Sequence, residues 1–163
     1  MGRVEMIILV GAIAILGRYS LTVNSVLLSS ELNVLQSGYE LNAILICDNL
    51  FNQAWLLAYD QNTVLSQAKS IPASFTSANS LGSETGEVYS DFNDIDDYNN
   101  YTATNTTVDG MTYTVSVGVG YVEINDKDTI VPIQTTLKKM TVTVVSNYLR
   151  NDISFSRLYP YWK

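Results

Sequence analysis

Apolar residues fall into three successive patterns along the chain. From Met6 to Leu16 they are almost continuous and uncharged, Met-Ile-Ile-Leu-Val-Gly-Ala-Ile-Ala-Ile-Leu, followed by Gly17, Arg18 and a mixed apolar stretch from Leu21 to Leu28. The uncharged stretch between Glu5 and Arg18 holds twelve residues, roughly 18 Å of helix at the usual rise. A spanning helix needs about 20 mostly apolar residues. Arg18 therefore either snorkels to an interface or the segment is buried against protein. A secretory signal peptide fits the length of the apolar core, but Gly17-Arg18-Tyr19-Ser20 is a poor cleavage site and Glu5 sits badly in a positive leader.

Beyond Ser25 the pattern becomes amphipathic. Leu28, Leu32, Leu35, Tyr39, Ala43, Cys47, Leu50, Ala54 and Leu57 step by fours and threes, which places them on one helical stripe. Polar residues from Glu31 to Asp60 fill the gaps, and no proline occurs before Pro72. This predicts one helix from the start to about Ala68, with breaks allowed at Gly11, Gly17 and Gly38. At the helical rise it would be on the order of 100 Å long, more than one small domain covers, so part of it must project. The projecting portion is apolar on all sides and needs lipid or neighbours; the remainder needs a sheet.

Ser70 to Asp109 reads as a long polar loop that begins where Ile71-Pro72 stops the helix. From Met111 the period switches to two: Met111, Tyr113, Val115, Val117, Val119 and Tyr121 alternate with Thr, Ser and Gly. Asn125 to Asp128 is a turn, Ile133 to Val145 returns, Asn147 to Asp152 turns again, and Ile153 to Tyr159 is a shorter strand. The predicted fold class is α+β: a long N-terminal helix whose C-terminal half packs on an antiparallel β-meander. Residues 1–28 form an apolar stem, and 29–163 a head made of the amphipathic helix half, the loop 70–109 and the sheet 111–159.

Composition narrows the function. Nine Lys and Arg against sixteen Asp and Glu give a net charge of −7, which disfavours nucleic acid, since phosphate binding rests on clustered basic residues. There is no His and only one Cys, Cys47. The usual general base, the usual metal ligand and any intrachain disulfide are thereby removed, and neither an enzymatic activity nor a cofactor is expected.

The candidate chemistry is correspondingly sparse. Glu5, beside the apolar run, is costly to leave unpaired away from water. Two environments satisfy it: the start of a helix at a membrane surface, where the dipole favours a carboxylate, or the terminal amine of a neighbouring copy. The acidic run Asp91-Phe92-Asn93-Asp94-Ile95-Asp96-Asp97-Tyr98-Asn99-Asn100 offers oxygen ligands of the type calcium takes, without the EF-hand spacing, and is otherwise a solvated loop. Asn100-Tyr101-Thr102 and Asn105-Thr106-Thr107 are glycosylation sequons. Among eleven Tyr, the set Tyr89, Tyr98, Tyr101, Tyr159 and Tyr161 fits subunit contacts or sheet-edge packing, or ordinary core and surface positions. The C-terminal Tyr159-Pro160-Tyr161-Trp162-Lys163 is too apolar for a free tail and is expected to dock.

Met-Gly-Arg-Val-Glu followed by an apolar stem, a long amphipathic continuation, a polar loop and a C-terminal sheet resembles a mature type IV pilin or pseudopilin. Glu5 falls on the fifth residue if Met1 begins the processed chain, and Lys138 to Val144 resembles the sheet strands of such proteins. The resemblance implies cleavage by a prepilin peptidase, N-methylation of Met1, and assembly with Glu5 of one subunit meeting the Met1 amine of another. It further implies a single-pass inner-membrane precursor and, as partner, the chain itself in an extracellular filament. The lone Cys47 departs from pilins with a disulfide-bounded C-terminal loop, and no proline near position 22 marks the usual helix break. Alternatives are a minor pilin, a type II secretion pseudopilin, or a membrane-anchored or secreted monomeric binding domain.

Overall fold

A computed structural model describes residues 2–161. The chain comprises one long helix, α1 (Arg3–Trp55), and a five-stranded antiparallel sheet: β1 (Thr102–Thr106), β2 (Thr112–Val122), β3 (Ile130–Val131), β4 (Leu137–Val145) and β5 (Ile153–Pro160). The strand order is β1-β2-β4-β5, with β3 paired to β2. This is the α+β class expected from the change of hydrophobic period. The chain divides into two compact units between Tyr39 and Glu40.

In the first unit the helix runs about 55 Å at the usual rise, and its side chains from Val4 to Leu35 are exposed. In the second unit the rest of α1 lies on the sheet. Ala43, Cys47, Leu50, Phe51 and Ala54 are buried with Val115, Val117, Val119, Met140, Val142 and Val144. The predicted stripe thus enters the core from Ala43 onward, whereas Leu28, Leu32 and Leu35 remain exposed. Small residues, Ala43, Cys47 and Ala54, are the most deeply buried positions of this helix face. At the β5 end Tyr159 donates its hydroxyl to the Phe51 carbonyl at 2.8 Å, and Arg157 donates to Asn52 Oδ1 at 2.9 Å and Asp48 Oδ1 at 3.0 Å.

The meander matches the period-two reading. Val115 faces Val144, Val117 faces Val142, and Val119 faces Met140 across β2 and β4. The alternate positions Thr112, Thr114 and Ser116 are exposed, giving one dry and one wet face. On the outer side Ile130 of β3 covers Gly120, where a β-carbon would stand 2.7 Å from the isoleucine side chain. Only glycine permits that approach.

Besides the return strand, which begins at Leu137 and not at Ile133 and is preceded by the short, unexpected β3 at Ile130–Val131, two boundaries differ from the sequence expectation. The helix ends at Trp55, not near Ala68. Leu56 and Leu57 N–H groups bond to Gln53 and Ala54 carbonyls, tightening the last turn, and Ala58 then pairs with the distant loop: its N–H donates to Asn93 O at 3.1 Å and its carbonyl accepts from Ile95 N–H at 3.0 Å. Asp60 next caps a separate 3-10 turn at Gln61–Thr63. Apolar periodicity continued to Leu57, but these tertiary bonds took the backbone elsewhere. The second difference is β1, inside the stretch read as loop 70–109: Thr102–Thr106 pairs with β2 from Thr102↔Ser116 to Thr106↔Thr112.

Candidate assembly site and the buried polar centre

The N-terminal unit presents two features. The first is Glu5, whose Oε2 accepts the backbone N–H of Gly2 at 2.8 Å. The carboxylate therefore closes the first turn of α1, where the helix dipole favours it. Met1, the other assembly residue expected from the sequence, lies outside the described residues. The second is the stem itself. Its charged residues between Arg3 and Tyr39 are Arg3, Glu5, Arg18 and Glu31, and the helix is long and apolar enough to cross a membrane.

Four of the stem hydroxyls turn inward on their own backbone. Thr22 donates to Arg18 O at 2.9 Å, Ser25 to Thr22 O at 2.8 Å, Ser29 to Ser25 O at 2.8 Å and Ser37 to Asn33 O at 2.9 Å. Each satisfies its donor within the helix, which lets polar side chains enter a dry environment without leaving an unmet hydrogen bond.

The second unit encloses a polar centre that sequence reasoning missed. Lys138 occupies an inward position of β4, in phase with Met140, Val142 and Val144, and is fully buried. Its ammonium donates to the Tyr59 carbonyl at 2.7 Å, to Asp60 Oδ2 at 2.9 Å and to Asp96 Oδ1. All three hydrogens have acceptors. The Tyr59 ring lies 4.4 Å and the Tyr121 ring 5.1 Å from Nζ, adding cation–π contact.

Asp60 also accepts from Asn62 N–H at 3.1 Å, Thr76 N–H at 2.9 Å and the Thr76 hydroxyl at 3.0 Å. The Tyr121 hydroxyl stands 2.8 Å from Thr76 O and 3.0 Å from Asp60 Oδ2, one donor shared between two acceptors. Burial pushes the Asp60 carboxyl upward, but Lys138 and these donors outweigh it and hold Asp60 below the ordinary carboxylate range. Asp96 is pushed up to about 6 by burial, against the pull of Lys138. Asp94 is pushed up to about 8 by burial and then by the charges of Asp96 and Asp97.

The acidic run 91–100 is thus not a simple solvated loop, since Asp94, Asp96 and Asp97 are buried. It folds around the bonds with Ala58 and around Asn99, which donates to Leu81 O at 3.0 Å and accepts from Val119 N–H at 2.9 Å. Of the sequon residues, Asn100 is exposed with a left-handed φ of 64°, and Asn105 is exposed on β1. The tyrosines pack largely within the head. Tyr89 stacks on Tyr101 with ring centroids 4.9 Å apart, and Phe92 and Tyr98 complete that cluster. Tyr161 meets Tyr59 and Phe75, so the C-terminal strand docks as far as it is described; Trp162 and Lys163 lie outside the described residues. Cys47 is buried, and its thiol is pushed up to about 11 by that burial.

Compared with protein-family models, with curated proteins and with solved structures, the chain finds no match.

Proposed function

We propose that the chain is a structural subunit of an extracellular type IV pilus-like filament, polymerising through its N-terminal helix after residence in the inner membrane as a single-pass precursor. One observation carries this reading: from Val4 to Leu35 an apolar helix stands without burial, so a folded chain leaves a large dry surface that only lipid or other subunits can cover. The self-satisfied hydroxyls of Thr22, Ser25, Ser29 and Ser37 suit the same surroundings. Apolar stems bundle into the filament core, Glu5 of one subunit sets axial register on the Met1 amine of the next, and the heads with their polar loops form the outside. A head-to-tail contact of this kind propagates into a helix instead of closing. In that role the polar centre around Lys138 ties β4 to the segments that carry Asp60 and Asp96.

The test is the filament fraction sheared from cells. A chain beginning at Met1 with an added methyl, present in abundance, is the expected result, and Glu5→Ala is expected to leave the protein folded in the membrane while strongly reducing that fraction. Membrane retention of the wild type with none in the sheared fraction would instead support an anchored monomer, and abundant normal filaments from Glu5→Ala would remove the register role of Glu5.

A further inference from the structure

The loop between Ser83 and Asn99 gathers carboxylates outside the Lys138 centre. Glu84 and Glu87 come together through a tight turn: Glu87 N–H donates to Glu84 O at 3.0 Å, Glu84 N–H donates to Glu87 Oε2 at 3.0 Å, and Gly86 supplies the positive φ of 91° that the turn requires. Asp97 approaches from the 3-10 turn Asp96–Tyr98. One carboxylate oxygen from each of Glu84, Glu87 and Asp97 lies within 4.8 Å of the others. Among the described residues no Lys or Arg salt bridge reaches them.

A buried oxygen of the cluster has no hydrogen-bond partner. Asp97 is 1% exposed; its Oδ2 accepts from Asn93 N–H at 2.8 Å and Asp94 N–H at 3.0 Å, whereas Oδ1 is buried and unmet. Asn93 donates Nδ2 to Glu87 Oε1 at 3.2 Å, which seats its amide nitrogen against the cluster. An orphaned buried acceptor is costly, and like charges in contact add to that cost. A cation removes both.

We propose that Glu84, Glu87 and Asp97 form a calcium site, with the buried, unmet Oδ1 of Asp97 as its innermost ligand. The donors are all oxygen, which selects a hard cation, and they come from irregular loop segments able to supply mixed carboxylate and water ligands. Magnesium demands a tighter octahedron and keeps most of its water. The bound ion would fasten the Glu84–Glu87 turn to the Asn93–Asp97 turn and so fix the Tyr89, Phe92, Tyr98 and Tyr101 cluster between them. The inference does not depend on the filament reading.

The test uses the full chain in detergent. Isothermal titration with CaCl2 is expected to give one site per chain, with Kd on the order of 10⁻⁴ to 10⁻³ M, the range of extracellular calcium modules. Thermal melting is expected to rise by several degrees in CaCl2 relative to EGTA. Glu87→Gln is expected to weaken calcium binding by about tenfold or more and, because both Glu87 oxygens accept hydrogen bonds, to melt somewhat lower in EGTA, whereas Asp97→Asn can keep its two Oδ2 bonds and is expected to melt in EGTA no lower than wild type. Asp97→Asn is a second variant with the same expected loss of binding. No calcium heat and no thermal shift in the wild type would overturn the proposal, as would equal shifts in wild type and Glu87→Gln, or equal response to MgCl2 and CaCl2.

Discussion

Lys138 Nζ sits 2.9 Å from Asp60 Oδ2, and both side chains are fully buried, joining the middle strand β4 to the segment that leaves the long helix. A buried ion pair is weak evidence of net stabilisation against an apolar replacement of both partners, but removing one partner strands the other's charge. Lys138→Met leaves Asp60 and Asp96 without their cation. The expected cost is about 3–5 kcal/mol in urea unfolding of the head. A loss below roughly 1 kcal/mol, the level of an exposed pair, would mean that the centre is open to water.

The same centre sets an expected pH profile, because its carboxyls are displaced in opposite directions. Asp60 is held below its ordinary 3.8, so the folded state binds a proton less readily than the unfolded one, and its contribution is lost as pH falls below that value. Asp94 is raised to about 8 from 3.8: between those values the folded state keeps a proton that the unfolded state has released, so stability declines as pH rises through the window. Melting in EGTA is therefore expected to be highest in mild acid and to fall on both sides. Asp94→Asn, which imitates the protonated acid, is expected to flatten the decline toward pH 8. An unchanged slope in that variant would assign the decline to another group.

Gly120 and Ile130 form a close contact suited to a double-mutant cycle. Gly120→Val places carbon where the isoleucine side chain already lies, within 2.7 Å, with an expected destabilisation of about 1–3 kcal/mol from overpacking. Combining it with Ile130→Ala makes room, and the double variant is expected to be more stable than the sum of the two single losses predicts. Strict additivity would show that β3 moves away freely when crowded.

The alternation from Tyr113 to Tyr121 and from Met140 to Val144 made the meander legible, because each strand has one dry face. β1 lacked that signal: Thr-Ala-Thr-Asn-Thr is an edge strand with only Ala103 partly covered, so nothing in its pattern separates it from a polar loop. The helix end was hidden for the opposite reason, since Leu57 keeps the apolar period while Ala58 is drawn to Asn93 and Ile95, more than thirty residues away. The phase of Lys138 could be read from Met140 two residues on. Its partners could not, because Asp60 and Asp96 reach it from irregular segments whose path no periodicity encodes. The unmet oxygen of Asp97 was concealed likewise: the run 91–100 advertises acidity, but Glu84 and Glu87 lie before it and join only through the turn at Gly86.

The strand order leaves β1 and the two-residue β3 along one edge of the sheet and β5 along the other. β1 is five residues of Thr, Ala and Asn, and β5 finishes at Pro160, which has no N–H to offer. Short, hydroxyl-bearing or proline-ended margins make poor templates for a further strand. Chains crowded together by their sticky stems would thus be guarded against zipping into cross-β aggregates through the heads, and each would keep its own sheet while its helix seeks company.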